Sequence, residues 1–288
     1  MIKNFRSKIS KISHFYQWII LVKTSGEIST SFPSFQKIIP PKDRFWADPF
    51  VIFRNDKYYI FFEELIYSKN LGHISFIEMD KNGNYSEPRI VLERDYHLSY
   101  PSFFEFEKNL YFIHGSITQS KSSIEIFKCE EFPHKWNFYS KIVTDVPMVD
   151  TTMFQYNDKW WIFACESKAD NTLKSKNLHL FFSDHPLSKH WTSHPKNPIV
   201  SDVRRARPAG QIFYLDKKII RPGQDCFNLY GRGFSFNQII KLDENEYEEK
   251  QIEYFEPNWD ENFIGIHTFN YDCGCTVIDA RIKRNRFL

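Results

Sequence analysis

The chain has 288 residues, with 38 Lys and Arg against 36 Asp and Glu, and a net charge of +2 is too small to point to nucleic acid. Aromatic residues make up 18%, with 29 Phe and 15 Tyr, which is enough for a large core and is weighted towards strands. The cysteines (Cys129, Cys165, Cys226, Cys273, Cys275) are an odd set without framework spacing, which suits a reducing cytoplasmic setting, and no apolar run approaches the ~20 residues of a membrane span.

In chain order, the first stretch is MIKNFRSKISK, with Lys3, Arg6, Lys8 and Lys11; the last, RIKRNRFL, carries Arg281, Lys283, Arg284 and Arg286. Such ends are either solvated or a foot on an anionic membrane surface, where each Lys or Arg gains about 1 kcal/mol. Residues 1–14 and 282–288 are therefore read as basic flanks of one domain spanning 1–288. No small-residue cleavage site follows the apolar run Trp18-Ile19-Ile20-Leu21-Val22, so no signal peptide is expected. The segment from Phe15 to Leu21 reads as a strand.

From Asp48 onwards one pattern recurs. DPFVIF (48–53), the polar turn RNDK and YYIFF (58–62) form a hairpin. YPSFFEF (100–106), EKN and LYFI form the second, and DTTMFQY (150–156), NDK and WWIF the third. RPAGQIFY (207–214), LDK and KII form the fourth; GIHTF (265–269), NYDCG and CTVI a weaker fifth. From Asp48 through Tyr100, Asp150, Arg207 and Gly265 the steps are 52, 50, 57 and 58 residues. Further strand-like pieces, HISFI (73–77), IEIF (124–127) and LHLFF (178–182), lie between the copies.

A period near 50 residues with about four strands per unit marks propeller blades, none of which buries its own faces alone. The expectation is an all-β chain: a single five-bladed β-propeller of four-stranded antiparallel blades, closed by the N-terminal strand. The first strand of each blade would border the central channel. Asp48, Tyr100, Asp150, Arg207 and Gly265 or His267 would then ring one mouth. Arg221 ends the strand paired with that of Arg207, which would bring both guanidiniums, with Arg205 nearby, to one pocket. Glu63 and Glu64 end a strand, one of them facing solvent. Cys273 and Cys275 lack partners at metal spacing, so neither metal nor cofactor is expected. His97 and His114 show no metal-type pairing.

As a set, WADPF, LSYPSFFEFEKNLYFI, FPHKW, DTTMFQYNDKWWIF, ARPAGQIFY, RPGQD, LYG and GIHT resemble a known group over roughly residues 15–281. It is the propeller domain fused to plant glucosamine inositolphosphorylceramide transferases, with its stand-alone bacterial relatives. More distantly the chain resembles the five-bladed furanosidase clan of arabinanases, β-xylosidases and invertases. The clan resemblance implies that Asp48 matches a general base and Asp150 a second aspartate that tunes acidity. Where a clan hydrolase has its acid glutamate, this chain has Arg207.

That departure has chemical weight. Glycoside hydrolysis protonates a poor leaving group from a carboxylic acid of raised pKa. A guanidinium, with a pKa above about 12, donates no proton at neutral pH, but it grips phosphate through paired hydrogen bonds. The expectation is an inverting transfer of sugar from a phosphate- or nucleotide-activated donor to a glycan or lipid-linked acceptor, in surface polysaccharide assembly. Asp48 and Asp150 would be catalytic, and Arg207, Arg221 and Arg205 would hold donor phosphate. Tyr100, Gln224, Asp225, Tyr230, His267, Glu63 and Glu64 would line the sugar site. The alternatives are a hydrolase or phosphorylase using Glu63, Glu64 or Glu166 as acid, and a non-catalytic glycan-binding propeller. A cytoplasmic location is expected, reaching the inner membrane face if the basic ends touch lipid.

Overall fold

Each repeated hairpin closes on two residues of positive φ: Asn55-Asp56 (52° and 64°), Glu107-Lys108 (48° and 64°), Asn157-Asp158 (48° and 58°), Asp216-Lys217 (49° and 64°) and Cys273-Gly274 (42° and 89°). Two consecutive left-handed residues make a turn whose twist matches the strands it joins. The flanking pairs are Arg54↔Lys57, Phe106↔Asn109, Tyr156↔Lys159, Leu215↔Lys218 and Asp272↔Cys275. The computed structural model describes residues 14–118, 121–143, 147–167 and 176–286.

Around these hairpins stand five antiparallel sheets. Blade 1 runs outward through Arg44–Arg54, Lys57–Ile66, Leu71–Met79 and Arg89–Leu92, and blade 2 through Ser102–Phe106, Asn109–Thr118, Lys121–Glu131 and Lys135–Val143. Blade 3 comprises Met148–Tyr156, Lys159–Glu166, Asn177–Ser183 and the short Thr192–Ser193, with Val200–Ser201 also on its third strand. In blade 4 the inner strand is split into Arg207–Pro208 and Phe213–Leu215, followed by Lys218–Asp225, Gly233–Leu242 and Tyr247–Phe255. Blade 5 has a split inner strand too, Phe263–Gly265 and Phe269–Asp272, then Cys275–Asn285. Its last two strands come from the other end of the chain: His14–Thr24 pairs along Cys275–Asn285 from His14↔Asn285 to Thr24↔Cys275, and Gln36–Ile38 lies outside it. The propeller expected from the repeats is thus present, ring closure included. Residues 282–285, read from sequence as part of a basic flank, belong to that closing ladder.

The apolar runs are nearly continuous because each blade is covered on both faces. Successive side chains of a strand point to opposite sides. In Lys57–Ile66, Tyr59 and Phe61 pack towards blade 2 while Tyr58, Ile60 and Phe62 pack towards blade 5. Five apolar clusters result, one between each pair of neighbouring blades. At about 25 cal/mol per Å² of buried apolar surface, these interfaces are the main favourable term, and none exists within a lone blade.

A second backbone feature repeats at the inner strands. Asp48, Tyr100 and Asp150 all have φ near 50° (51°, 50° and 50°). Left-handed non-glycine residues cost of order 1–3 kcal/mol, more so where a proline follows, as at Asp48 and Tyr100. Counting back from each turn as Asp48 stands from Asn55, the fourth and fifth equivalents are Ala209 and Ile266. Arg207 therefore precedes the ring position by two residues, and past that position blade 4 loops through Gly210 (φ 137°) before its strand resumes at Phe213. A Cβ at Gly210 would stand 1.9 Å from the Phe269 carbonyl, so only glycine passes there.

Candidate active site at the channel mouth

Asp48 sits in a bulge of the inner strand of blade 1, between the pairs Ala47↔Glu63 and Phe50↔Phe61. The bulge turns its carboxylate between blades 5 and 2. Oδ1 accepts from Thr268 Oγ1 (2.9 Å) and lies 3.3 Å from His267 Nε2, while Oδ2 accepts from the Tyr100 N–H (3.2 Å). Asp279, fully buried, accepts at Oδ2 from the Asp48 N–H (2.9 Å) and at Oδ1 from the N–H groups of His267 (2.9 Å) and Thr268 (3.1 Å). Its Oδ2 is also 2.5 Å from His267 Nδ1. An imidazole is thus held between two carboxylates, stacked on Trp18 (4.1 Å between ring centres) and edge-on to Tyr230 (5.4 Å).

The electrostatics follow from burial. The Asp48 carboxyl is pushed up to about 7, first by loss of solvent; His267 pulls it down, and Glu63, Asp150 and Asp279 push it further up. For His267, burial favours the neutral ring, but Asp279 and Asp48 outweigh it and its pKa stands above the ordinary value. The ligand atoms of Asp48, His267 and Asp279 lie within 4.8 Å of one another. Their lone pairs already accept from N–H and O–H donors, which suits a proton-sharing cluster better than a cation site.

Asp150, at the equivalent place on blade 3, forms an ion pair through Oδ2 with Arg207 Nε. The Arg207 guanidinium lies over the Tyr230 ring, 5.1 Å from its centre. Between the two aspartates, Tyr100 extends across the channel. Its Oη accepts from the Gly210 N–H (2.7 Å), donates to the Gly210 carbonyl (3.1 Å) and lies 2.8 Å from Thr152 Oγ1. Asn270 Nδ2 to the Pro49 carbonyl (2.7 Å) and Gln211 Nε2 to the Phe103 carbonyl (2.5 Å) add two more ties between inner strands. Asp48, Tyr100, Asp150, Arg207, Tyr230 and His267 therefore meet at one mouth.

Several other expected site residues are engaged elsewhere. Arg221 is 1% exposed and grips Glu249 with two hydrogen bonds of 2.7 Å, donating also to the Arg205 carbonyl (2.9 Å). It lies three residues from Gln224, the partner of Arg207, and strand alternation sends it to the other face of the sheet. The expected convergence of Arg207 and Arg221 on one pocket is corrected accordingly. Arg205 belongs with that second group, 4.0 Å from Glu249 and 3.6 Å from Asp202. Asp225 accepts from the Phe227 N–H (2.7 Å) and Tyr254 Oη (2.9 Å), so it holds a turn. Neither Glu63 nor Glu64 faces solvent as one of them was expected to: they are 6% and 3% exposed. Glu64 accepts from Arg44 (2.9 Å), Trp46 Nε1 (3.1 Å) and Ser75 (2.6 Å) and meets His73 at 3.1 Å. Burial raises its pKa, but those partners outweigh burial and hold it at about 2. Glu63 lies near Asp48 and pairs with His97 (3.0 Å). Gln224 is buried with both amide atoms unpaired among the described residues, beside Arg207 in the ladder.

Sequence reasoning missed Asp279, Thr268, Trp18 and His97. Asp279 had a signal, a lone carboxylate in the apolar run TVIDARI, since an acid inside a covered strand requires partners. Thr268 and Trp18 had none, because their roles arise from ring closure. His97 was set aside for lacking metal-type spacing, although it meets Glu63 from a loop.

Fold and mouth together define a five-bladed β-propeller with a carboxylate–imidazole cluster at one end of its channel. Within that class the chain belongs to the family described as glucosamine inositolphosphorylceramide transferase 1, N-terminal, whose model matches residues 34–269. It is 32% identical over 211 residues to glucosamine inositolphosphorylceramide transferase 1 of Oryza sativa subsp. japonica, covering 72% of this chain and 28% of the relative. The Arabidopsis thaliana protein of the same name is 29% identical over 211 residues, covering 72% of this chain and 27% of its own length. The chain thus spans under a third of these relatives. Among solved structures it resembles a family 117 glycoside hydrolase of Zobellia galactanivorans (TM-score 0.59, 11% identity, 93% of this chain and 90% of that one). It likewise resembles a GH32 β-fructofuranosidase of Bombyx mori (TM-score 0.59, 12% identity, 86% and 61%). At such identities the likeness shows the fold.

Proposed function

We propose that the channel mouth is a sugar-transferring site, with Asp48 as the base that takes the acceptor's proton. The supporting observation is the Asp48 carboxyl, poised at about 7 between His267 and three further carboxylates. A base in that range is substantially ionised at neutral pH and still holds the proton it accepts. His267 returns charge to the cluster, and Asp279 fixes the ring. Asp150 and Arg207 act as a pair, the carboxylate taking a sugar hydroxyl and the guanidinium the donor's phosphate side. Trp18 and Tyr230 give an apolar wall for a sugar face, and Gln224 supplies a buried amide in need of partners.

The mouth carries more carboxylate than cation, so the sugar occupies it and the phosphate projects outward past Arg207. Arg221 and Arg205 take no part in phosphate binding in this reading. The acceptor is a glycan or glycolipid of surface polysaccharide assembly, and the work is cytoplasmic, a setting that suits an odd number of cysteines without framework spacing. Direct attack aided by one base inverts the anomeric carbon. The test is thermal-shift screening of wild type and Arg207→Ala against nucleotide sugars, followed by NMR of the product. A shift lost in the variant and an inverted product support the reading; a retained configuration overturns single displacement.

One observation favours a second reading. The transferase relatives extend far beyond the matched region, so the transfer centre could lie in their other part, with the propeller holding glycan. Asp48→Asn would then weaken glycan binding with no turnover to lose.

A further inference from the structure

The ladders fix what lies beyond the mouth. Gly265 pairs with Arg281, and that strand continues to Asn285, opposite His14. In blade 1 Ala47 pairs with Glu63, and Arg44↔Ile66 lies farther out on the same side. Phe15, Tyr16, Lys42, Tyr67 and Arg286 thus gather above the mouth, where blade 5 meets blade 1, around a groove of about 500 Å³.

The groove combines aromatic and cationic groups. Tyr16 and Tyr67 are 53% and 39% exposed. Arg281 lies over the Tyr16 ring (5.1 Å) and Arg286 over Phe15 (5.7 Å). Among the described residues the lining includes no carboxylate, and nearby Asp43 is held by Arg44 at 3.0 Å. The same side of the ring exposes Phe227 and Leu229, in the turn after the Gln224 and Asp225 pairs. Exposed aromatic rings among cations match the polar–apolar boundary of a bilayer with anionic headgroups.

We propose that this face rests on an anionic membrane, with Lys42 and Arg286 taking a lipid phosphate and Tyr16 and Tyr67 lying among the headgroups. This goes beyond the sugar-transfer reading and does not depend on it. It orients the molecule with its channel mouth towards the lipid surface. A free phosphate compound offers the groove the same chemistry, so the test separates the two sources.

The experiment is sedimentation of the full chain with phosphatidylcholine vesicles, with and without phosphatidylglycerol, at rising salt. The expected result is salt-sensitive binding to the anionic vesicles alone. Lys42→Ser and Arg286→Ser should each weaken it about fivefold. Tyr67→Ser should weaken it too, and Lys218→Ser, beside the turn at the opposite end of blade 4, should not. Unchanged melting temperatures would show that the variants fold. Absence of sedimentation with anionic vesicles overturns the proposal, as does binding that the groove variants leave unchanged. Stabilisation by inorganic phosphate, lost in Arg286→Ser and unaccompanied by vesicle binding, would assign the groove to a soluble ligand and overturn the membrane.

Discussion

Asp48 is raised to about 7 chiefly because burial penalises its charge, and two consequences of opposite sign follow. In its proposed role as base it works ionised, so transfer should rise with pH through about 7, and Asp48→Asn should abolish it; a rate independent of pH across that range would remove Asp48 from the chemistry. For stability, a carboxyl with a folded pKa above its unfolded value of about 3.9 favours the folded state when protonated. That contribution is complete below about pH 4 and is lost as pH rises through about 7. His267, also raised, has the same sign. Melting temperature should therefore fall across this interval, and fall less in Asp48→Asn. Arg221 gives a contrasting case: Arg221→Ala leaves Glu249 buried without its cation and should cost about 3–5 kcal/mol in denaturant unfolding. A loss below about 1 kcal/mol would mean that the pair is solvated. Asp48 and Asp150 were legible in the sequence because they recur at one place in a repeat. The division of labour between Arg207 and Arg221 was not, because it rests on strand parity across a split inner strand and on Glu249, two strands away.

The hairpins were the most legible elements. Short polar turns between apolar runs repeat five times, and each became a turn with paired positive φ. These turns also carry local strain. Lys108 holds φ 64°, where a side chain costs roughly 1–2 kcal/mol and glycine loses only about 0.5–1. Lys108→Gly should therefore stabilise by about 0.5–1 kcal/mol, read from the denaturant midpoint at unchanged slope. Gly210→Ala should do the reverse, with a loss above about 2 kcal/mol, since the added carbon meets the Phe269 carbonyl. What the pattern did not disclose was the register of the fourth copy, because Arg207-Pro208 matches Asp48-Pro49 and Tyr100-Pro101 by residue type. Counted from the Asp216-Lys217 turn, the fourth ring position is Ala209, two residues past Arg207.

At the scale of the whole molecule, the ring is held shut by the ladder between His14–Thr24 and Cys275–Asn285. Without the first of these strands blade 5 would lose its outer half and two apolar interfaces would open. A chain lacking residues 14–24 should therefore fail to unfold cooperatively in calorimetry; a sharp transition near that of the intact chain would show that four blades and a half suffice. Closure was legible because a strand preceding the first repeat had no other place to go. The ties through the channel centre were not, since they join residues over a hundred positions apart. The Tyr100 side chain reaches past the aspartates: its hydroxyl meets Thr152, two residues past Asp150, and bonds to Gly210 on the far wall. The channel is bridged at that depth. Under the proposed sugar-transfer reading, a glycan would therefore meet Asp48 by its tip and leave the way it came.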